Sequence, residues 1–432
     1  MNHNSTLFRR LLLVAVLFFT GFATAAQTVE YVDDEECGCE LVFIDGIQTT
    51  QDGEFFGFKR EDGVQITPNK YRYVGKFVDG YCIVYIDYGQ CGMIDRDGRE
   101  IVPCIYDKVE YPRDNRIKVV KNGLMGYTDL SGRVVIPIQY QACSDFSEGR
   151  AAVMVTMSGY GTGCTFVDTM GKMLFPPEFE LVEPYSCGYA IAKKNNLWGV
   201  INRQGEAVLP MQFTEITNII EGFFFAGTDK GWALYDTTMT QLSPYLYNWT
   251  HFVADRRIPV GRNGKYGYLD PKGREVIPCK YDEVSAFVGE RAVVKLGEYY
   301  GIIDTAGREI TPIEYTDKTT KGRKFFYCDS LALVEKNGKI GYVDYDGNLV
   351  IPFLFDEGYQ FSQGFASVKY DGGWGYINKK GEVYIPFIFD AASPFEWGRA
   401  DVVYGGQFMK MNLKGKCVKN CKGIVAWRNW TE

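Results

Sequence analysis

The sequence predicts an all-β protein built from about ten tandem copies of one antiparallel unit, and three observations carry that expectation. First, Pro68, Pro103, Pro137, Pro176, Pro210, Pro244, Pro278, Pro312, Pro352 and Pro386 each have Tyr or Phe three positions later. The gaps between them are 35, 34, 39, 34, 34, 34, 34, 40 and 34 residues. With 30 Tyr and 29 Phe in 432 residues, aromatics are too sparse to fill that register by chance. Second, Asp or Asn stands eight residues before nine of these prolines. Third, no apolar period of 3.6 residues persists beyond the N-terminal segment, which removes helical repeats from consideration.

Two fully regular copies read Tyr266-Gly-Tyr-Leu-Asp270-Pro-Lys-Gly273-Arg-Glu-Val-Ile-Pro278 and Trp374-Gly-Tyr-Ile-Asn378-Lys-Lys-Gly381-Glu-Val-Tyr-Ile-Pro386. Two β-rich runs flank an Asx-x-x-Gly turn. The Asx side chain is expected to accept backbone N–H groups two and three residues on, with the glycine left-handed. The Asx column is Asp95, Asp129, Asp168, Asn202, Asp236, Asp270, Asp304, Asp344 and Asn378; Arg60 departs from it, and Met239 replaces the glycine in one copy. The proline should close the second strand, since it cannot donate to a ladder. The aromatic beyond it should plug the core from the linking segment. A third strand follows an aromatic and a glycine, as in Phe146-Ser-Glu-Gly149, Phe361-Ser-Gln-Gly364 and Phe395-Glu-Trp-Gly398. Each copy is then a three-stranded antiparallel meander.

Propellers usually close with four to eight four-stranded blades. About ten three-stranded copies exceed that number, which favours an open, curved superhelical array in which each unit covers its neighbour. A β-propeller-like ring, or a pair of rings, is the alternative.

The x-Gly openings (Trp198-Gly199, Tyr266-Gly267, Tyr300-Gly301, Trp374-Gly375), the Asp-x-x-Gly turn and the apolar run ending in proline resemble bacterial WG repeats. The resemblance covers residues 56–415, with Cys91, Met125 and Ile340 in place of Trp in some copies and Ala233 in place of the second motif residue in the Pro244 copy. It implies an exported or surface-associated bacterial repeat protein and carries over no catalytic residue.

Residues 1–25 read as a secretory signal peptide. Arg9 and Arg10 precede an apolar run from Leu11 to Phe19, and Ala23-Thr24-Ala25 supplies the cleavage pattern. The apolar stretch is shorter than the roughly 20 residues of a spanning helix, so the exported chain is expected not to span a membrane. Residues 26–55 form an N-terminal capping segment and 416–432 a C-terminal tail. Export permits disulfides, and Cys37, Cys39, Cys417 and Cys421, which flank the array, are the candidates. Locations consistent with this reading are secreted, periplasmic or cell-surface.

The chemical inventory is thin. His251 is the only histidine beyond the signal segment, so Ser-His-Asp and Cys-His catalysis is not expected, and no metal or cofactor site is. Carboxylates at Asp95, Asp129, Asp270, Asp304 and Asp344 are assigned to turns rather than to acid–base work or calcium. The formal net charge of −7 disfavours nucleic acid. Aromatics are the remaining resource. Trp198, Trp232 and Trp374 share one register, which points to core packing; with Trp397 they are the candidates for lining a binding surface. The expected function is an exported non-enzymatic scaffold for a protein partner, with a carbohydrate or cell-envelope glycan module as the alternative.

Overall fold

A computed structural model describes residues 11–14, 27–34, 39–44, 46–157, 161–251, 255–317 and 327–419. Among these residues the regular elements are all β-strands, paired antiparallel into a series of small sheets of mostly four strands, none closed into a barrel. Two compact units divide the chain, Met1–Lys230 with Leu234–Gln241 and Gly231–Ala233 with Leu242–Glu432. Most of the signal segment, Cys37, Cys421, the tip of the Met157–Gly163 hairpin, most of the Asp317–Lys324 insertion and the end of the tail lie outside the described residues. Cys39 falls within a strand, Cys39–Ile44.

One sheet of the second unit shows the plan. Its order is Trp249–Thr250, Ile258–Arg262, Lys265–Leu269 and Glu275–Tyr281, a three-stranded meander with a short edge strand added. Phasing differs from the expected one. The strand introduced by the aromatic and glycine opens the next sheet instead of closing its own: Arg150–Met157 pairs with Gly161–Asp168.

The proline does not close its strand. Tyr266 faces Tyr281 and Tyr268 faces Ile277, so one residue on one strand opposes three on the other. The two extra residues around Pro278 form a bulge, where a missing N–H breaks no ladder bond. The strand runs on, and the aromatic is its last residue, set directly across from the residue before the motif glycine. Trp198 with Phe213 and Trp374 with Phe389 repeat this pairing. The motif glycine lies beneath the bulge. A Cβ at Gly199 would meet the Leu209 carbonyl oxygen at 2.6 Å, and one at Gly267 would strike the Ile277 carbonyl.

The Asx turn also differs in one bond. Asp270 Oδ1 accepts from the N–H groups of Lys272 and Arg274, two and four residues on, at 2.9 and 3.0 Å. The Gly273 N–H goes to the Asp270 carbonyl, because the left-handed glycine (φ 76°) turns its amide inward. The column extends one copy past Asn378 to Asn412, whose Oδ1 accepts from Lys414 and Lys416 at 3.0 Å each.

An aromatic pair fills several of the cores. The Tyr268 and Phe287 rings meet edge-on at 4.8 Å, and the Tyr268 hydroxyl donates to the Ser285 carbonyl at 2.7 Å. Tyr127 with Phe146 and Tyr342 with Phe361 repeat the edge-on arrangement, and the Tyr376 and Phe395 rings meet at a tilt of 46°. At Phe166 and Tyr185 the ring types are exchanged, and the hydroxyl goes to the Asn202 carbonyl instead. Such pairs add about 0.5–1.5 kcal/mol to the burial of their area.

Neighbouring copies join through two further columns that the sequence did not reveal. Two-residue turns before the first strand hold both central residues left-handed, as at Asp114–Asn115 and Asp255–Arg256. The first of these side chains accepts the turn N–H of the following copy: Asp114 from Gly149 (2.7 Å), Glu148 from Gly188 (3.1 Å), Asp255 from Glu290 (3.0 Å), Asp329 from Gly364 (2.6 Å) and Gln363 from Gly398 (2.8 Å). Close by, Arg116, Arg257 and Arg291 donate to the carbonyls of Thr169, Thr305 and Tyr345 in the next Asx turn. Left-handed non-glycine residues cost about 1 kcal/mol or more each; the bonds across the joint offset that cost.

Candidate functional site

The polar groups that suggest chemistry from sequence are engaged in the architecture. The Ser131 hydroxyl, with the turn N–H groups and Arg133, holds the Asp129 carboxyl at about 2. Burial opposes the charge on Asp270 and Asp304, but the Arg274 and Arg308 guanidinium groups and the turn amides outweigh it, so both carboxyls lie below their ordinary value. Asn348 does the same for Asp344. Asp95 makes the same turn, accepting from Asp97 and Arg99 at 2.9 Å each. Burial pushes the Tyr127, Tyr268, Tyr342 and Tyr376 phenols up, which keeps them protonated as donors. Burial also lifts the Cys82 thiol to about 12 and the Cys104, Cys143 and Cys279 thiols to about 11, far from nucleophilic thiolates at neutral pH. Cys417 opens the strand Cys417–Lys419 and is half-buried. Among the described residues no cluster of three His, Cys, Asp or Glu could hold a metal ion, and no helix is long and apolar enough to cross a membrane.

The tryptophan candidates occupy repeat positions. Trp198, Trp232 and Trp374 each face the post-proline aromatic, Phe213, Tyr247 and Phe389. Trp374 is only 7% exposed, and Lys193 covers the half-buried Trp198 ring at 5.6 Å. Trp397, 38% exposed, sits left-handed (φ 54°) at the turn position that carries Gln363 one copy earlier. These four side chains share registers; the structure does not gather them into one site.

A different register carries aromatic side chains that are not buried in a core. Two residues past the post-proline aromatic, the edge strand usually carries a charged or small residue. Glu283 pairs there with Lys295 at 2.8 Å, and Glu357 with Lys369 at 3.0 Å. Leu181, Tyr73 and Trp249 are the departures, and the two aromatic ones fall one in each unit. In the first unit the Tyr73 and Tyr88 rings lie 5.6 Å apart with a 2.7 Å hydroxyl–hydroxyl bond. In the second, Trp249 stacks on His251 at 5.8 Å and meets Tyr266 edge-on at 4.9 Å. Nearby, Glu275 binds Arg262 at 2.9 Å and the Cys279 N–H at 3.1 Å. Comparing copies column by column in the sequence was the signal that could have found both.

The fold thus defines a tandem β-repeat protein whose repeated residues serve its own construction. The family described as WG containing repeat matches residues 92–124, 125–156, 165–198, 198–232, 266–300, 300–339, 340–374 and 374–408, well over half the chain. The chain belongs to that family. The unmatched stretch between 232 and 266 is the copy with Ala233 and Met239.

No curated protein matches the chain. Solved structures similar to it include a eukaryotic initiation factor (10% identity, TM-score 0.38, covering 61% of this chain and 84% of that one). Another is the extracellular domain of a hybrid two component system from B. thetaiotaomicron (10% identity, TM-score 0.25, covering 92% of this chain and 64% of that one). A third is Citrobacter koseri AztD (14% identity, TM-score 0.29, covering 66% and 91%). With TM-scores this low, none of them bears on function.

Proposed function

We propose that the protein is an exported, non-enzymatic repeat scaffold that binds a protein partner in the periplasm or at the bacterial cell surface. One observation carries the reading. Exposed large apolar side chains concentrate on two successive third strands of the second unit, Leu349–Phe355 and Val383–Phe389. Leu349 and Val383 stand in one register and Val350 and Tyr384 in the next, with Leu354 on the same strand, all exposed. A soluble monomer rarely keeps such surface without using it. The signal-like segment supports export, and the engagement of the Asp, Tyr and Cys groups in folding supports a non-enzymatic role. Proximity labelling in the native envelope tests it with wild type and a Leu349→Glu/Val383→Glu variant. The scaffold reading expects a discrete set of protein neighbours that the variant loses. An identical set for both, at equal protein level, contradicts it.

A carbohydrate-binding role is the second reading, favoured by the aromatic departures at Tyr73 and Trp249.

A further inference from the structure

Phe55, Tyr73 and Tyr88 are 40%, 47% and 82% exposed and come from three segments of the first unit. Phe55 starts the strand Phe55–Arg60, Tyr73 starts the edge strand Tyr73–Val78, and Tyr88 lies in the hairpin between Tyr81–Asp87 and Gln90–Asp95. Their positions are fixed by polar contacts. The two tyrosine hydroxyls share a hydrogen bond of 2.7 Å, with the rings inclined at 60°. Asp87 Oδ1 accepts the Tyr88 N–H at 2.8 Å and holds the hairpin tip. The Arg72 guanidinium lies 5.3 Å from the centre of the Phe55 ring and pairs with Glu54 at 2.8 Å. The hydrogen bond to Tyr88 raises the Tyr73 phenol, while Arg72 and Glu54 act on it in opposite senses, so both charges bear on this ring.

We propose that this cluster is a binding site for a neutral saccharide, independent of the apolar third-strand face of the other unit. A pyranose presents an apolar C–H face that removes aromatic surface from water, and a rim of hydroxyls that donate and accept in fixed directions. The aromatic faces supply the first contact. Glu54 accepts from sugar hydroxyls, Arg72 donates to them, and the tyrosine hydroxyls do either. Charge argues for neutrality: Glu54 cancels Arg72 locally, and the chain as a whole carries −7. Size argues for a sugar over a protein. Partly exposed rings of about 150–250 Å² each offer much less than the roughly 800 Å² per partner of a stable protein interface, and they suit one or two sugar rings.

Titration calorimetry of the full-length protein with cellohexaose, xylohexaose, laminarihexaose and chitohexaose, and with polygalacturonate as an anionic probe, tests the proposal. At least one neutral oligosaccharide should bind, and Tyr88→Ala should weaken it about tenfold or more. Tyr88→Phe, which keeps the ring, should retain most of the affinity. Leu354→Ala, on the other unit, should leave it unchanged, and the far-ultraviolet circular dichroism of Tyr88→Ala should match wild type. Absence of binding by all four neutral sugars at 10 mM (about 2.7 kcal/mol) overturns the proposal. So does a preference for polygalacturonate, or affinity that survives Tyr88→Ala. Loss of protein neighbours in Tyr88→Ala without any sugar binding reassigns the cluster to a protein partner.

Discussion

The copy around Pro278 and the copy around Pro244 share a period and differ in what surrounds the proline. In the first, Gly267 leaves room for the bulge, Gly273 makes the turn, and the third strand forms over Glu275–Tyr281. In the second, Ala233 and Met239 stand at those places, and isolated bridges, Tyr235 to Gln241 and Trp232 to Tyr247, replace the third strand. The Asx turn survives the change: Asp236 Oδ1 still accepts from Thr238 and Thr240 at 2.9 and 3.1 Å, and Met239 takes the left-handed conformation (φ 63°) without being glycine. The turn and the bulge are therefore separable devices. Phase is kept by the turn and by the post-proline aromatic, while the strand depends on the glycine beneath the bulge and on the residue before the proline. Phe175, Ser243 and Thr311 precede the prolines of the copies whose third strand gives way to isolated bridges; Val102, Ile136, Leu209, Ile277, Ile351 and Ile385 precede prolines within strands. Thr67 keeps its strand, which nothing in the structure explains.

The sharpest way to break this comparison is Gly267→Ala. Its Cβ would strike the Ile277 carbonyl, and the variant should lose about 3 kcal/mol, read as a fall in the urea midpoint. Ala233→Gly, with no bulge to accommodate, should move the midpoint by less than about 1 kcal/mol. Equal losses at both sites would make the bulge irrelevant. Next, Tyr268→Phe leaves the Ser285 carbonyl without its donor and should cost about 1–2 kcal/mol. Tyr235→Phe, whose hydroxyl bonds the Gln241 side chain at 3.2 Å, should cost less.

Asp270→Ala removes the turn acceptor and should cost about 1 kcal/mol. Asp270→Asn should stay within about 0.5 kcal/mol, since Asn202 and Asn378 hold the same turn naturally. Met239→Gly should raise the midpoint by about 0.5–1 kcal/mol, because it relieves a left-handed side chain. Acid should act through the same column. Asp129, Asp270, Asp304 and Asp344 have folded pKa values below the ordinary carboxylate value, so their contribution is complete above about pH 4 and is lost as pH falls below it. An Asp→Asn set at these four turns should flatten the acid limb of the stability curve. An unchanged limb would remove the carboxylates from that role.

The repeat, the turn and the cross-strand aromatic were legible because each is set by one residue type at one spacing. Pro278 was misread as a strand end because a bulge needs a partner strand, and only the glycine opposite hints at it. The joints between copies were hidden for a different reason. Asp114, Glu148, Asp255, Asp329 and Gln363 differ in type and length, and Cys187 and Trp397 occupy the same turn position; no motif marks them, only their common left-handed backbone. Of the candidate site, the tryptophans at the motif register were visible and are packed across strands. Tyr73 and Trp249 were missed because they are departures from a column rather than members of one.

The central claim is that the residues of the turn and core columns build the protein, and exposed side chains outside those columns bind. The most direct measurement sets stability against neighbours for two groups of variants in the native envelope. Tyr342→Phe and Asp270→Ala should lower the urea midpoint and leave the proximity-labelled neighbours unchanged. Leu349→Glu/Val383→Glu should leave the midpoint within about 0.5 kcal/mol and remove those neighbours. Loss of neighbours in the first pair without loss of fold, or their retention in the second, would contradict it.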